Sequence, residues 1–558
     1  MANASSSSRS GSSSIARTIV TLLVIAATSS LCLLPLLPSA VTAGDLSVLH
    51  SPHARHQPDI PSRILRRADS GAVQTAIAAL SQSDPFTAAT EADDQLYIKG
   101  NSTGSDASAF SYTADTGDES QLPWNSNVFF QTSAATNGSQ DGGWQELPET
   151  PGFVLNRSLT IYNSDKSGSG VMPFYVTNNV YTPSEIKRAI IVWPGKPRDA
   201  WNYANLMRNA LTVVATNFAE WGINNDSVLI LAPVFMATQD ITAGAGRANE
   251  FAFGGELWQA GSHTKLPVMN KTLTSYEIMD VFTDMLADKA QFPNMNQIVV
   301  AGHSLGGQAA QRYAVLKKSK NYDYNVRFWV GNPGSWAWLT SNFAYSNTSC
   351  PVGATTDSPT SWPYGLNGNQ TELTSYARKD VIANQAFVIK RYLQRRVAYG
   401  LGLLDNGPGT TSCAAQWQGA NHLDRGSQFI LDFQQNQYTS YGFPANHTVD
   451  FIANVSHQDY PMYSSNVSLQ RLFYDDYNTR YPDTASTENP GDSNSTDGHR
   501  AYATPAHEKI AIALLAGSIA IVVVCYTMMF FSLSPNYDAS WEKSIMAAPL
   551  GQGSSRLR

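Results

Sequence analysis

The sequence predicts an α/β domain with a mostly parallel central sheet and helices on both faces. From about residue 185, short apolar runs typical of buried strands alternate with longer segments of helical periodicity; the clearest runs are 189–193, 228–232 and 326–330. This alternation indicates strand–helix–strand units, whose strands pair in parallel. A capping box, Thr274-Ser-Tyr-Glu277, begins one helix, and apolar residues follow it at helical spacing.

One strand and helix are joined by a motif that requires a sharp turn. The apolar run 297–301 leads into Gly302-His-Ser-Leu-Gly306, and small residues of a helix follow. Glycines on both sides of a serine let the backbone turn tightly and leave the hydroxyl exposed above the sheet. The same pattern at Gly100-Asn-Ser-Thr-Gly104 has neither strand nor helix beside it, and we attribute it to chance. Ser304 is therefore the candidate nucleophile.

A serine hydroxyl needs a histidine to accept its proton and a carboxylate to orient that histidine. We expect these groups after later strands, at the carboxyl edge of the sheet. Residues 331–335, after the next strand, contain no acid, whereas the strand through 397–404 ends directly at Asp405. Asp405 is the candidate acid, and its alternative role is that of a turn or cap residue. Asp424 and Asp432 are reserve candidates.

The last strand, 449–455, is followed closely by His457, the candidate general base. His447 precedes that strand and falls at the opposite edge of the sheet. We interpret both His447 and His422 as ordinary core or loop histidines, because neither has a neighbouring ligand set.

An oxyanion also needs backbone N–H donors that are in place before charge develops. One donor is predicted to be Leu305, directly after the nucleophile. The other is expected from the loop Trp193-Pro-Gly-Lys-Pro-Arg-Asp199, with the N–H of Lys196 as the candidate.

With these residues in view, the chain resembles the α/β-hydrolase superfamily over roughly 185–480. The resemblance implies Ser304 as nucleophile, His457 as base and then acid, Asp405 as its orienter, and an acyl-enzyme resolved by water. Many relatives have His-Gly where this chain has Pro194-Gly195. Esterases, lipases and thioesterases share the Gly-His-Ser-Leu-Gly motif, so it does not identify the acyl group. The exported, glycosylated layout resembles that of fungal-type hydrolases.

Two apolar segments indicate export and anchoring. Residues 18–37 follow Arg9 and Arg17 and resemble a signal peptide cleaved after Ala43, with an uncleaved anchor as the alternative. The segment 510–533 has no charge and is long enough to span a bilayer. The chain then divides into a signal peptide (1–43), a polar, partly disordered region (44–123), the α/β domain with an N-terminal edge extension (124–483), a stalk (484–508), a transmembrane helix (509–534) and a cytosolic tail (535–558).

This layout predicts a single-pass type I protein of the secretory pathway, at the cell surface or in the vacuole, with its domain outside the cytosol. Eleven N-x-S/T sequons lie between the two apolar segments and agree with a glycoprotein. Cys350 and Cys413 are the cysteines left in the exported part, and we expect one disulfide between them; two buried free thiols are the alternative.

Composition narrows the function classes. The net charge of −7 disfavours nucleic-acid binding, and we find no phosphate loop or metal-ligand spacing, so no cofactor and no metal is predicted. The leading hypothesis is a membrane-anchored serine hydrolase that acts on small-molecule or lipid carboxylic esters. The alternatives are a catalytically silent ectodomain for adhesion or receptor function, and an acyltransferase or peptidase with the same triad. The oligomeric state does not follow from the sequence.

Overall fold

The computed structural model describes residues 71–96, 138–139, 142–178, 182–345, 358–406 and 412–479. The helices are α1 (Gly71–Leu80), α2 (Pro85–Leu96), α3 (Ala200–Asn217), α4 (Thr238–Ala243), α5 (Ser275–Ala287), α6 (Leu305–Leu316), α7 (Arg378–Leu393), α8 (Cys413–Gln418), α9 (His422–Asp432), α10 (Asp459–Ser464) and α11 (Asn466–Leu469). The strands are β1 (Gly138–Ser139), β2 (Gly143–Trp144), β3 (Phe153–Asn156), β4 (Thr160–Tyr162), β5 (Ser169–Val171), β6 (Phe174–Thr177), β7 (Arg188–Trp193), β8 (Val228–Pro233), β9 (Met236–Ala237), β10 (Ala252–Phe253), β11 (Gln297–His303), β12 (Val326–Gly331), β13 (Arg396–Gly402) and β14 (His447–Ile452).

Eight of these strands form the central sheet, in the order β14-β13-β12-β11-β7-β8-β6-β3. The first six pair in parallel, and β6 and β3 add antiparallel pairs at one edge. This arrangement confirms the predicted α/β class with a mostly parallel sheet. Because parallel strands end at a common edge, the residues that follow β11, β13 and β14 are brought near each other.

Both faces of the sheet are buried, as the apolar runs in the sequence require. In β7, Ile191 and Trp193 belong to one cluster of buried residues and Ile190 and Val192 to the other. Helices α5, α6 and α9 contribute to the first cluster, and α3 and α10 to the second. Strands covered on both sides show no polar alternation, which is why the sequence signal is a continuous apolar run.

The folded part of the chain begins earlier than the sequence indicates. Helices α1 and α2 lie in the region predicted to be polar and partly disordered, yet they pack against α9 and β14. Gln82 donates to the carboxylate of Asp450 at 2.8 Å, and the side chain of Gln74 accepts from the backbone of Asn454 at 2.7 Å. These helices therefore cover the end of the sheet at β14, and residue 124 is too late a start for the domain.

Several predictions concern residues that the structure does not describe. The signal peptide, stalk, transmembrane helix and cytosolic tail lie outside the described residues, and so does Cys350. Cys413 is the first residue of α8, and its pairing with Cys350 stays a prediction. Among the helices of the described ranges, none combines the length and apolarity needed to cross a membrane.

Candidate active site

Ser304 lies on the turn between β11 and α6 with a backbone that L-residues rarely adopt. Its φ and ψ are 57° and −122°, and its N–H donates to the carbonyl of Gly331 on β12 at 2.9 Å. A side chain at Gly302 would collide with the carbonyl of Gly306, so the flanking glycines are needed for the turn to close. Strain of this kind is characteristic of functional turns, and it leaves the Ser304 side chain partly exposed at the carboxyl edge of the sheet.

The structure brings the three residues predicted to form a triad into one hydrogen-bonded chain. Nε2 of His457 lies 2.8 Å from Oγ of Ser304, and Nδ1 of His457 lies 2.8 Å from Oδ2 of Asp405. Asp405 follows β13 and His457 follows β14, so adjacent strands deliver the acid and the base. The distances let Asp405 fix the histidine tautomer that presents a bare Nε2 to the serine.

The electrostatics of the chain agree with this arrangement. Burial alone raises the pKa of Asp405, but His422 and His457 outweigh burial and hold that pKa well below its ordinary range. Burial lowers the pKa of His457, and the Asp405 carboxylate more than offsets this, so the net shift is upward. Asp405 is therefore a carboxylate, and His457 is a stronger base than a free imidazole.

A second histidine–carboxylate pair lies next to the His457–Asp405 pair. His303, inside the serine motif, hydrogen-bonds through Nδ1 to Asp459, and its ring centroid lies 4.8 Å from that of His457. The hydroxyl of Tyr203 on α3 donates to the same carboxylate at 2.7 Å. Burial lowers the pKa of His303 in spite of Asp459. This pair therefore fixes the residue that precedes Ser304 and lies against the ring of His457.

The loop after β7 lies against the first turn of α6. A side-chain carbon at Gly306 would lie 2.7 Å from the carbonyl oxygen of Pro194 and 2.8 Å from that of Trp193. Leu305 is the first residue of α6, and Lys196 is exposed on the loop. Neither N–H makes a backbone hydrogen bond within the part of the chain described. Both predicted donors thus lie on segments that touch each other beside Ser304.

A buried ion pair anchors this loop. Arg198 binds both oxygens of Asp240, at 2.8 and 3.0 Å, and the side chains are 2% and 1% exposed. The indole of Trp144 donates to the carbonyl of Pro197 at 2.7 Å, while its backbone N–H donates to Asp240 at 2.9 Å. Arg198 itself has a φ of 66°. These contacts fix the position of the loop that carries Lys196.

His422 is the site residue that sequence reasoning misplaced. It is not an ordinary loop histidine: it begins α9, its Nδ1 lies 3.2 Å from Oδ1 of Asp405, and its ring stacks on His457 with centroids 4.4 Å apart. The only sequence signal was its position one residue after Asn421, a helix N-cap, and that signal says nothing about Asp405.

Asp405, His422 and His457 together offer three ligand atoms within 4.8 Å of one another, a spacing that would suit a metal ion. The two rings, however, are only 26° from parallel and present Nδ1 to the same carboxylate. The Nδ1 atom of each ring is thus directed to an oxygen of Asp405 and not to a point between the three residues. We therefore interpret the cluster as a hydrogen-bonded one.

The other candidates from the sequence bind elsewhere. Asp424 accepts from the backbone N–H of Ala420 at 2.6 Å, and Asp432 accepts from the hydroxyl of Thr340 at 2.7 Å. His447 is a core histidine, as predicted: it lies beside the hydroxyl of Tyr399 at 2.9 Å, and burial lowers its pKa to about 3.

No protein-family model matches the chain, and no curated protein matches it at a significant level. Solved structures with partial likeness include poly(aspartic acid) hydrolase-1 from Sphingomonas sp. KT-1, with 16% identity, a TM-score of 0.37 and coverage of 58% of this chain and 99% of that one. The poly(3-hydroxybutyrate) depolymerase LpqC from Bordetella parapertussis has 18% identity, a TM-score of 0.38 and coverage of 60% and 92%. The siderophore hydrolase EstB from Aspergillus nidulans has 14% identity, a TM-score of 0.26 and coverage of 59% and 96%. Likenesses at this level add nothing to what the strand order and the site geometry of the chain itself provide.

Proposed function

We propose that the chain is a serine hydrolase of the α/β-hydrolase type that cleaves carboxylic esters through an acyl-enzyme. The observation that carries the proposal is the continuous hydrogen-bonded chain from Ser304 through His457 to Asp405. A serine in this geometry has a base within proton-transfer distance, and the base has a buried carboxylate behind it.

In this mechanism the Ser304 hydroxyl attacks the ester carbonyl while Nε2 of His457 takes its proton. Asp405 stabilises the resulting imidazolium without itself becoming protonated. The carbonyl oxygen becomes an oxyanion, which the N–H groups of Leu305 and Lys196 receive. When the C–O bond breaks, His457 returns the proton to the leaving alkoxide, and water then repeats the sequence on the acyl-enzyme.

The oxyanion assignment is supported by contact between the two segments that carry the donors. Leu305 is fixed by α6, and Lys196 by a loop that Arg198 anchors to Asp240. Preorganised donors of this type typically contribute about 3–4 kcal/mol each to transition-state stabilisation. The departure from His-Gly at Pro194-Gly195 does not remove a backbone donor, because Lys196 keeps its own N–H.

We further propose that the enzyme is exported and membrane-anchored. The apolar segments at 18–37 and 510–533 and the sequons between them support this topology. Small-molecule or lipid esters near the membrane are then the expected substrates. Alkaline carbonate extraction checks the anchor: the full-length chain is expected in the membrane pellet, and a chain truncated before residue 509 in the supernatant.

The decisive experiment is labelling of the full-length protein with a fluorophosphonate probe, followed by an ester screen graded by acyl chain length. Labelling is expected for the wild type and lost in Ser304→Ala and His457→Ala, with kcat reduced by roughly 10⁴-fold or more. Ser102→Ala, in the chance copy of the motif, is the matched control and is expected to label fully. Absence of labelling in a folded wild type would contradict the proposal and favour a silent ectodomain.

A further inference from the structure

Asp405 faces two imidazoles, one near each carboxylate oxygen. His457 faces Oδ2 at 2.8 Å and His422 faces Oδ1 at 3.2 Å. The carboxylate is 1% exposed, whereas the His457 and His422 side chains are 25% and 13% exposed. A triad mechanism uses one of these histidines and leaves His422 without a role.

The local structure fixes His422 in this place. It is the first residue of α9, capped by Asn421, whose side chain accepts from the N–H of Asp424 at 2.9 Å. The next N–H, that of Leu423, donates to the backbone carbonyl of Asp405 at 2.9 Å. The start of α9 is thus bonded to Asp405 through the main chain, and His422 extends the attachment to the carboxylate.

The protonation state of His422 makes it a donor without a charge. Burial lowers its pKa, and the Asp405 carboxylate offsets burial only in part. A neutral imidazole whose Nδ1 faces a carboxylate carries its proton on Nδ1. The titratable and charged groups around the two stacked rings come from every packed element: Asp405 after β13, Arg425 on α9, His303 on β11 and Asp459 on α10.

We propose that His422 is a positioning residue: its Nδ1–H holds the second oxygen of Asp405, and so sets the orientation and the basicity of His457. The inference rests on the proposed hydrolase function. A donor on Oδ1 withdraws negative charge from the carboxylate, so it moderates the pull of Asp405 on the proton of His457. It also limits rocking of the carboxylate, and so keeps the ring of His457 in one orientation while the carboxylate stays against Nδ1.

Loss of this donor has two consequences of defined sign. Without a donor on Oδ1, the negative charge of the Asp405 carboxylate attracts the proton of His457 more strongly. The pKa of His457 therefore rises, and the acid limb of kcat/KM moves to higher pH. The orientation of His457 is less fixed, so kcat falls, while KM changes little because acylation and deacylation both use His457 and slow together. Hydrogen bonds to charged groups are typically worth about tenfold or more, which sets the expected loss of kcat.

The experiment compares pH profiles of kcat and kcat/KM on a p-nitrophenyl ester for full-length wild type and two variants. His422→Phe keeps a ring stacked on His457 and removes the donor, and we expect an acid limb shifted up by roughly half a unit or more and kcat reduced about tenfold. His422→Asn places an amide N–H near the position of Nδ1 and is expected to restore the limb to within roughly 0.2 units of wild type.

The inference would be overturned if a folded His422→Phe variant kept both the acid limb and the kcat of the wild type. It would also be overturned if the acid limb shifted equally in the Asn and Phe variants. If the Phe variant does not fold, His422→Ala is profiled with and without added imidazole, which is expected to return the limb toward the wild-type position; no return overturns the inference. A wild type that neither labels nor hydrolyses esters refutes the proposed function and this inference together, whereas an active wild type with an unmoved limb refutes only the inference.

Discussion

The contact between Gly306 and the loop after β7 gives a direct test of the oxyanion assignment. Gly306 is the second residue of α6, and nothing but hydrogen on its Cα separates the helix from the loop. A methyl group there would lie 2.7 Å from the carbonyl oxygen of Pro194, whereas ordinary van der Waals contact begins at 3.4 Å. Gly306→Ala therefore requires the loop and the helix to separate by about 0.7 Å, the difference of the two distances.

This separation acts on catalysis more than on binding. The loop carries Lys196, so the N–H of Lys196 moves away from the oxyanion by a similar distance. Misplacement by about 1 Å typically costs about 100-fold in rate, and loss of one oxyanion donor costs roughly 10²–10³-fold in kcat. We expect kcat to fall about 100-fold, equivalent to about 2.7 kcal/mol.

The assay is steady-state hydrolysis of a p-nitrophenyl ester, with thermal unfolding to confirm the fold. Gly254→Ala is the matched control, because a methyl group there meets only the ends of flexible side chains, at 3.6 and 3.7 Å. The control is expected to keep kcat within about twofold of wild type, since surface changes that create no clash are usually within ±0.5 kcal/mol. A folded Gly306→Ala enzyme with wild-type kcat would refute the assignment of the loop after β7 as an oxyanion donor.

Two further predictions concern stability. Burial raises the pKa of Asp432 to about 7, so between about pH 4 and pH 7 the folded state keeps a proton that the unfolded state has lost. The contribution of Asp432 to the free energy of unfolding is therefore complete below the unfolded pKa near 4 and is lost as the pH rises through 7, by up to about 4 kcal/mol. Asp432→Asn is therefore expected to raise the urea midpoint at pH 8 but not at pH 4, and equal effects at both pH values would contradict the argument. Arg198→Met leaves Asp240 buried without its cation and is expected to cost about 3–5 kcal/mol of unfolding free energy. The control Lys271→Met breaks an exposed ion pair and is expected to change the urea midpoint little. Similar losses of stability in both variants would contradict the argument that burial makes the Arg198–Asp240 pair important.

The parts of the fold that sequence predicted share a local signal. Strand β11, the turn at Ser304 and helix α6 are encoded within 20 consecutive residues, and glycine is required there by the backbone itself. Asp405 and His457 were predictable because each lies within a few residues of the end of an apolar strand, β13 and β14 respectively, and parallel strands end at one edge. By contrast, α1 and α2 are rich in alanine and polar residues, and their order comes from packing on α9 and β14 rather than from their own periodicity.

The missed site residues have no local signal. His422 lies beside Asp405 because the start of α9 contacts that residue through both its main chain and its side chain. The residues adjacent to His422 in sequence do not indicate this contact. Asp459 is only two positions after His457, but its partners His303 and Tyr203 are 156 and 256 residues away. Sequence patterns reflect residues that are close together in the chain, so they indicate where strands end. They do not indicate side chains that come into contact only after the sheet has formed.

The environments of the histidines explain why His457 is the one that we propose as the base. Burial lowers the pKa of His447 to about 3, because its partners are hydroxyl and carbonyl groups and no carboxylate is among them. Burial also lowers the pKa of His303 and His422, although each faces a carboxylate. His457 alone among these four has a raised pKa, because the Asp405 carboxylate outweighs burial there and His457 is the most exposed of the histidines that face a carboxylate. Acid–base roles follow from such divergent environments, so in the proposed mechanism the same side chain is a neutral donor at 422 and a proton acceptor at 457.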